Sequence, residues 1–392
     1  MRIGKKITAI IMAATMLVGI VACSKSDEVS EPADYGTYGA DFARDFASKH
    51  PSRKAYTAEE NSAGQMIKEE FEDLGYDVQT QPFTGNGGTS NNYIVKIEGT
   101  GFLEVDERNN TTDVRRIAVI GAHYDDAFLP QYIGSSGYDG LSDNASGVAC
   151  LLTCAKQISE YENIGFDVYL VAFGANADNY AGARAFYNSL SEQEKRDIEI
   201  MYEFDSLYAG DKMYASSGYN SFIPGQRYAM RRKLYQVYDV AYDKELASRN
   251  NYSLLYNESG LLEDLNGDGV REVYSEVSAH KSDYTVFDEA GIAVVYFDSC
   301  DYFFGTIEEM KETKNLNLQA YGGAVRGTLL DGTSTLDPVL VTDESDRLEI
   351  RINNTAFVTL ESLLKGSDTA MTQQQYDEMI NSLETETVGD DD

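Results

Sequence analysis

Histidine is scarce in this chain: only His50, His123 and His280 occur in 392 residues. Imidazole chemistry, whether proton transfer or metal binding, therefore has three places to come from. Positive charge is short as well, with 32 lysines and arginines against 65 acids and a formal net charge of −33. Such a surface repels nucleic acid and anionic lipid, which excludes both as partners of the folded surface. Cysteine is too sparse for a disulfide framework. Cys150 and Cys154 lie four apart on an expected helix and Cys300 follows an expected strand, so buried free thiols are expected. Neither an internal repeat nor a second domain boundary is visible.

What is present begins with a leader. In "MRIGKKITAIIMAATMLVGIVAC", Arg2, Lys5 and Lys6 precede an apolar run that ends in a small residue before Cys23. This pattern reads as an export signal over residues 1–22, and "IVAC" fits a lipobox whose cysteine is acylated. The alternative, a membrane-spanning helix, needs roughly 20 apolar residues, more than the run supplies. The expected mature chain is extracytoplasmic and anchored to a bacterial membrane only through lipid on Cys23. Loss of the three leader cations takes its charge to −36 (−33 minus 3). Residues 23–35 read as an acidic tether, 36–366 as one domain and 367–392 as an acidic C-terminal tail.

Within the domain, helical and strand patterns alternate. Helices are expected in "AGQMIKEEFEDLG", "ASGVACLLTCAKQIS", residues 226–247 and "RLEIRINNTAFVTLESLLKG". Strands are expected in "NYIVKIEG", "RRIAVIGAH", "FDVYLVAFG", "RDIEIMYEF" and, after a short helix, "GIAVVYFDS". This order implies an α/β fold of three layers, with a mostly parallel mixed sheet flanked by helices.

In such sheets ligands bind where strands end and helices begin. His123 in "GAHYDD" stands at one such corner, with Asp125 two residues on. It suits a metal ligand whose other N–H a carboxylate accepts, or equally a structural histidine. Asp143 in "DGLSDNASG" precedes a helix as a ligand or an N-cap. Asp205 in "MYEFDS" ends another strand. Together the three could converge on one cation.

These motifs, in this order, resemble the di-zinc aminopeptidases of peptidase clan MH, family 28, which also includes glutaminyl cyclases. The resemblance spans about residues 36–366 and implies a zinc-exopeptidase-like fold. In that family the histidine of "HxD" and the aspartate ending an "NxD" strand bind one metal, matching His123 and Asp205. The aspartate of a "DDNASG"-like loop bridges two metals, matching Asp143, and Asp125 would orient His123.

The family's "GAEExGLxGSRAF" corner supplies a general base and then a ligand of the second metal. Here "GANADNYAGARAF" has Asn176 at the base position and Ala177 at the ligand position. The family's "SDHxxFxxxGIP" becomes "SDYTVFDEAGIA", with Tyr284 where the second metal's histidine belongs. An amide accepts no proton at neutral pH and a methyl binds no metal, so the standard base mechanism has no agent. Asp178 is a candidate substitute base, and Tyr284 or His280 a candidate substitute ligand. At most one zinc per chain is expected, through His123, Asp143 and Asp205.

"DLNGDGVRE" presents Asp264, Asn266, Asp268 and Glu272 around a glycine turn. It suits either a short calcium loop or a hairpin turn. The resulting expectation is a pseudopeptidase that binds a peptide or small-molecule ligand. The alternative is an active zinc-dependent aminopeptidase with a rearranged site.

Overall fold

The structure, a computed structural model, describes residues 32–388 except 127–136, 224, 260–261, 265–266, 274 and 304–305. The leader, Cys23, most of the tether, Asn266 and the last four residues lie outside that set. No helix among the described residues is long and apolar enough to cross a membrane.

The chain opens with helices α1 (Tyr38–Lys49) and α2 (Ala58–Asp73). Thr57 caps α2 by accepting a hydrogen bond from the Glu60 N–H, and Ala63, Ile67 and Phe71 form its buried stripe. Gly75, at φ 94°, ends it, and Tyr76 N–H bonds back to the Phe71 carbonyl at 3.0 Å. Strands β1 (Gln79–Thr84) and β2 (Thr89–Ile97) follow, then a small hairpin, β3 (Phe102–Val105) with β4 (Thr111–Val114).

The αβ core begins with β5 (Ile117–His123), α3 (Ser146–Gln157), β6 (Asp167–Phe173), α4 (Ala181–Ser189), β7 (Ile198–Phe204) and β8 (Lys212–Ser216). Next come α5 (Arg227–Asp243), β9 (Leu254–Leu255) and a second hairpin, β10 (Leu262–Glu263) with β11 (Glu272–Val273). The chain closes with α6 (Tyr284–Glu289), β12 (Ala293–Cys300), α7 (Arg347–Leu364) and α8 (Gln373–Val388).

Eight strands form one mixed sheet in the order β1-β2-β6-β5-β7-β12-β8-β9. Its centre, β6-β5-β7-β12, is parallel, while β1, β2 and β8 pair antiparallel toward the edges. Alternate residues of the central strands enter two separate cores. Ala118, Ile120, Leu170, Tyr202 and Phe297 pack with α3 and α7 on one face. Val119, Val171, Met201 and Val294 pack with Ala183, Phe186 and Phe287 of α4 and α6 on the other. Both faces are covered, so β5 is buried along its whole length. The three-layer α/β architecture expected from the element order is the one found.

Some elements differ from expectation. Within the expected tail, Met371 makes an isolated bridge with Leu103, and 373–388 form α8. Cys150, Cys154 and Cys300 are buried and free, as expected. The candidate calcium segment is the connection of the β10–β11 hairpin. There Asp264 accepts from the N–H groups of Gly267 (2.9 Å) and Gly269 (3.0 Å), and Asp268 from that of Val270. Asp264 thus accepts from the turn's own backbone.

Candidate metal centre

Three strand-to-helix corners bring the principal residues together. His123 ends β5, and Asp205 follows the last residue of β7. Asp143 sits in the irregular turn Leu141–Ala145 that leads into α3, where the Asp143–Asn144 peptide is cis. All three are at least 97 % buried. His123 Nε2 lies 3.5 Å from Asp143 Oδ1 and 3.6 Å from Asp205 Oδ1. One ligand atom from each lies within 4.8 Å of the others, the one such grouping of His, Cys, Asp or Glu among the described residues.

The donor set suits a cation. His123 Nδ1 lies 2.9 Å from the Asp125 carbonyl oxygen, which can only accept, so Nδ1 carries the hydrogen. Nε2 then faces two carboxylates, an arrangement that needs a positive charge there, either a proton on Nε2 or a metal ion in its place. Burial alone pushes the imidazole pKa down, but Asp205, Asp143 and Asp125 pull it well above its ordinary value. Asp143 Oδ2 is buried without a hydrogen-bond partner. Zinc bonds of about 2.0–2.2 Å place ligand atoms roughly 3.4 Å apart in a tetrahedron, close to the two spacings from His123 Nε2.

Asp125 holds His123 differently from the sequence expectation. Its carboxylate is 3.8 Å from Nδ1, and its main-chain carbonyl makes the bond instead. The chain turns as soon as β5 ends, which swings the carbonyl toward the ring. The carboxylate accepts the N–H groups of Asn176 (2.8 Å) and Ala177 (3.0 Å). Burial, foremost, pushes Asp125 up to about 8.

Asn144 locks the corners to one another. Its side-chain NH2 donates to the carbonyls of His123 (3.2 Å) and Phe204 (3.0 Å). Its oxygen accepts from the N–H groups of Gly147 (3.1 Å) and Ser206 (2.9 Å). Asp331 receives the N–H groups of Ser142 and Asp143 at 2.7 and 3.0 Å. Buried Arg53 bonds five carbonyls, of His50, Tyr124, Asp139, Gly140 and, at 3.5 Å, Asp143. Neither Asn144 nor Arg53 figured in the sequence reading, although Asn144 stands beside Asp143 in the same motif.

The corner after β6 holds no carboxylate aimed at this cluster. The Asn176 amide donates to Ser282 Oγ (3.0 Å) and Asp283 Oδ2 (3.1 Å). Ala177 presents a methyl at an exposed position. Asp178 accepts from Tyr56 OH (2.5 Å) and twice from Asn86 (2.7 and 2.8 Å). Those bonds, Tyr56's first, hold its carboxyl below the ordinary range, the wrong direction for a base working near neutrality. The Tyr284 hydroxyl donates to the His280 carbonyl (2.7 Å), and His280 Nδ1 lies 3.1 Å from Asp298 Oδ2. Neither Asp178 nor His280 joins the cluster.

Arg326, unforeseen in the sequence, does reach it. Its Nη1 donates to Asp205 Oδ2 at 3.2 Å, and its Nη2 lies 3.1 Å from Asp205 Oδ1. The Tyr296 hydroxyl donates to Oδ2 as well, at 2.9 Å. Burial alone would push Asp205 up, but Arg326 and His123 hold it well below the carboxylate range.

A family model described as "Peptidase family M28" matches residues 105–321, which include His123, Asp143, Asn176, Ala177, Asp205 and Tyr284. The chain belongs to peptidase family M28. Arg326 falls just beyond the matched M28 span. Among curated proteins the chain is similar to the alkaline phosphatase isozyme conversion protein of Escherichia coli. The two are 22% identical over 324 residues, 78% of this chain and 84% of that one. Similar solved folds include a glutaminyl cyclase from an Acidobacteriales bacterium, at 14% identity and a TM-score of 0.56 over 87% of this chain and 98% of that one. BSAP, a zinc aminopeptidase from Bacillus subtilis, shares the fold at 12% identity and a TM-score of 0.55, over 88% of this chain and 99% of that one.

Proposed function

We propose that this M28 chain is a ligand-binding protein that has lost standard hydrolysis, holding a peptide or small molecule at a site with at most one zinc. The observation that carries the reading is the Asn176 amide, which stands where the family resemblance puts the base and donates both its hydrogens to Ser282 and Asp283. A group already donating there, with no basic lone pair, cannot take a proton from an attacking water. His123, Asp143 and Asp205 would hold the ion, in line with the zinc named for the Bacillus subtilis relative. Zinc bound there would supply Lewis-acid polarisation to a ligand's carbonyl or carboxylate.

The second reading, an active zinc-dependent aminopeptidase with a rearranged site, draws on His280. Its Nδ1 is paired with buried Asp298, the arrangement by which a carboxylate orients a histidine base. Metal content per chain, measured with hydrolysis of aminoacyl substrates, decides between them. The first reading expects one zinc or fewer and turnover close to background. Robust turnover that His123→Ala abolishes would establish the second.

The extracytoplasmic, lipid-anchored location is proposed from the leader and "IVAC". Cys23→Ala is expected to move the protein from the membrane to the soluble fraction or to block its processing. Unchanged membrane association of that variant would remove the proposal.

A further inference from the structure

The two carboxylates of the candidate centre are unequally available. Asp205 Oδ1 accepts from Ser206 Oγ at 2.9 Å and lies 3.1 Å from Arg326 Nη2. Oδ2 accepts from Tyr296 OH at 2.9 Å and Arg326 Nη1 at 3.2 Å. Three of its roughly four lone-pair positions thus accept hydrogen bonds, and the Arg326 Nη2 charge lies against Oδ1. Asp143, by contrast, has a buried oxygen without a hydrogen-bond partner.

We infer that Arg326 is a resident cation that competes with metal for Asp205 and thereby sets the metal affinity of the site. The inference rests on the reading of His123, Asp143 and Asp205 as metal ligands. A metal ion needs a lone pair of Asp205, and apart from His123, itself a ligand, the guanidinium is the charged group against it. Ser206 and Tyr296 are neutral donors that can remain while a cation binds.

Arg326 is mounted so that it can yield. The N–H groups of Val325 and Arg326 donate to buried Glu312 at 2.6 and 2.8 Å, which fixes the backbone beneath the side chain. Within the guanidinium, Nε and Nη2 are buried without a hydrogen-bond acceptor, so its hold beyond Asp205 is electrostatic. About 20 % of the side chain reaches solvent although Nε and Nη2 are buried, so release of the head group takes a swing of the whole side chain. Metal entry therefore exchanges one cation on Asp205 for another, and the site's net charge changes less than at a centre without the arginine.

The test is zinc titration of the whole protein against a chromophoric chelator, for wild type, Arg326→Met and Arg326→Lys. Thermal melting of each, with and without zinc, accompanies it. Arg326→Met is expected to bind one zinc at least about tenfold more tightly than wild type, the factor that the net worth of one charge-assisted hydrogen bond represents. Its metal-free form should melt lower than wild type, with a larger gain on adding zinc. Arg326→Lys, which keeps the charge but not the fork, should fall between and guards against misfolding of the methionine variant. Equal or weaker zinc binding by folded variants would reduce Arg326 to a structural counter-ion and leave the metal site standing. Failure of every form, wild type included, to bind zinc would remove the competition together with the site it rests on.

Discussion

Asn176→Glu, Ala177→Glu and Tyr284→His, introduced together, should yield a chain that binds two zinc ions and hydrolyses aminoacyl substrates at least about 100-fold faster than the parent. A positioned general base is worth roughly 10²–10⁴ in rate. Position 177 is exposed, so a longer side chain has room. Position 176 faces Asp283, which burial, foremost, already pushes up to about 6. A second carboxylate there is tolerable only if a cation arrives with it, so single reversions should do little and the three must be combined. Elemental analysis and a chromogenic aminopeptidase assay give the answer. A triple variant that still holds one zinc, or none, would mean that the cleft has drifted beyond these three positions.

Asn144→Ala is expected to cost at least about 4 kcal/mol in stability and to weaken zinc binding by about 10–100-fold. It strands the carbonyls of His123 and Phe204 and the N–H groups of Gly147 and Ser206 in the interior. Buried polar groups left without partners cost about 1–3 kcal/mol each when water cannot reach them. The same bonds set the angle between the β5 and β7 corners, and groups that orient ligands typically carry 10–100-fold in metal affinity. Chemical denaturation and zinc titration measure the two effects. A loss below about 1 kcal/mol with unchanged zinc affinity would show that the corners are held by strand pairing alone.

The fold was legible because the central strands are parallel and covered on both faces. Ile117–Ile120 and Val168–Phe173 therefore read as unbroken apolar runs, and the helices between them carry the 3.6-residue stripe. Helix α1 was missed: Thr37 makes no side-chain cap to mark its start. The short β8 and β9 owe their place to edge pairing that no local pattern announces. Helix α8 was read as tail because its sequence is largely polar and acidic.

At the site, His123, Asp143 and Asp205 were visible because each ends a strand or opens a helix. Arg326 was not, since "YGGAVRGTLL" has no periodicity and its partner lies 121 residues away in the chain. Asp125 was assigned the right partner and the wrong atom. Spacing along a chain gives proximity, whereas the turn after β5 decides which oxygen faces the ring.

The order of strands across the sheet also bears on how the molecule folds. His123 and Asp205 become neighbours only when β5 and β7 have paired, and Arg326 arrives from a segment more than 100 residues further along. Such distant pairings bear their loop-closure entropy before any contact offsets it, so the cluster is assembled late and cannot serve as a nucleus. Metal that binds only the finished cluster stabilises the native state by mass action and leaves the refolding barrier where it was. Metal supply would then govern how long a folded molecule persists, while the rate at which new ones form is set by the sheet.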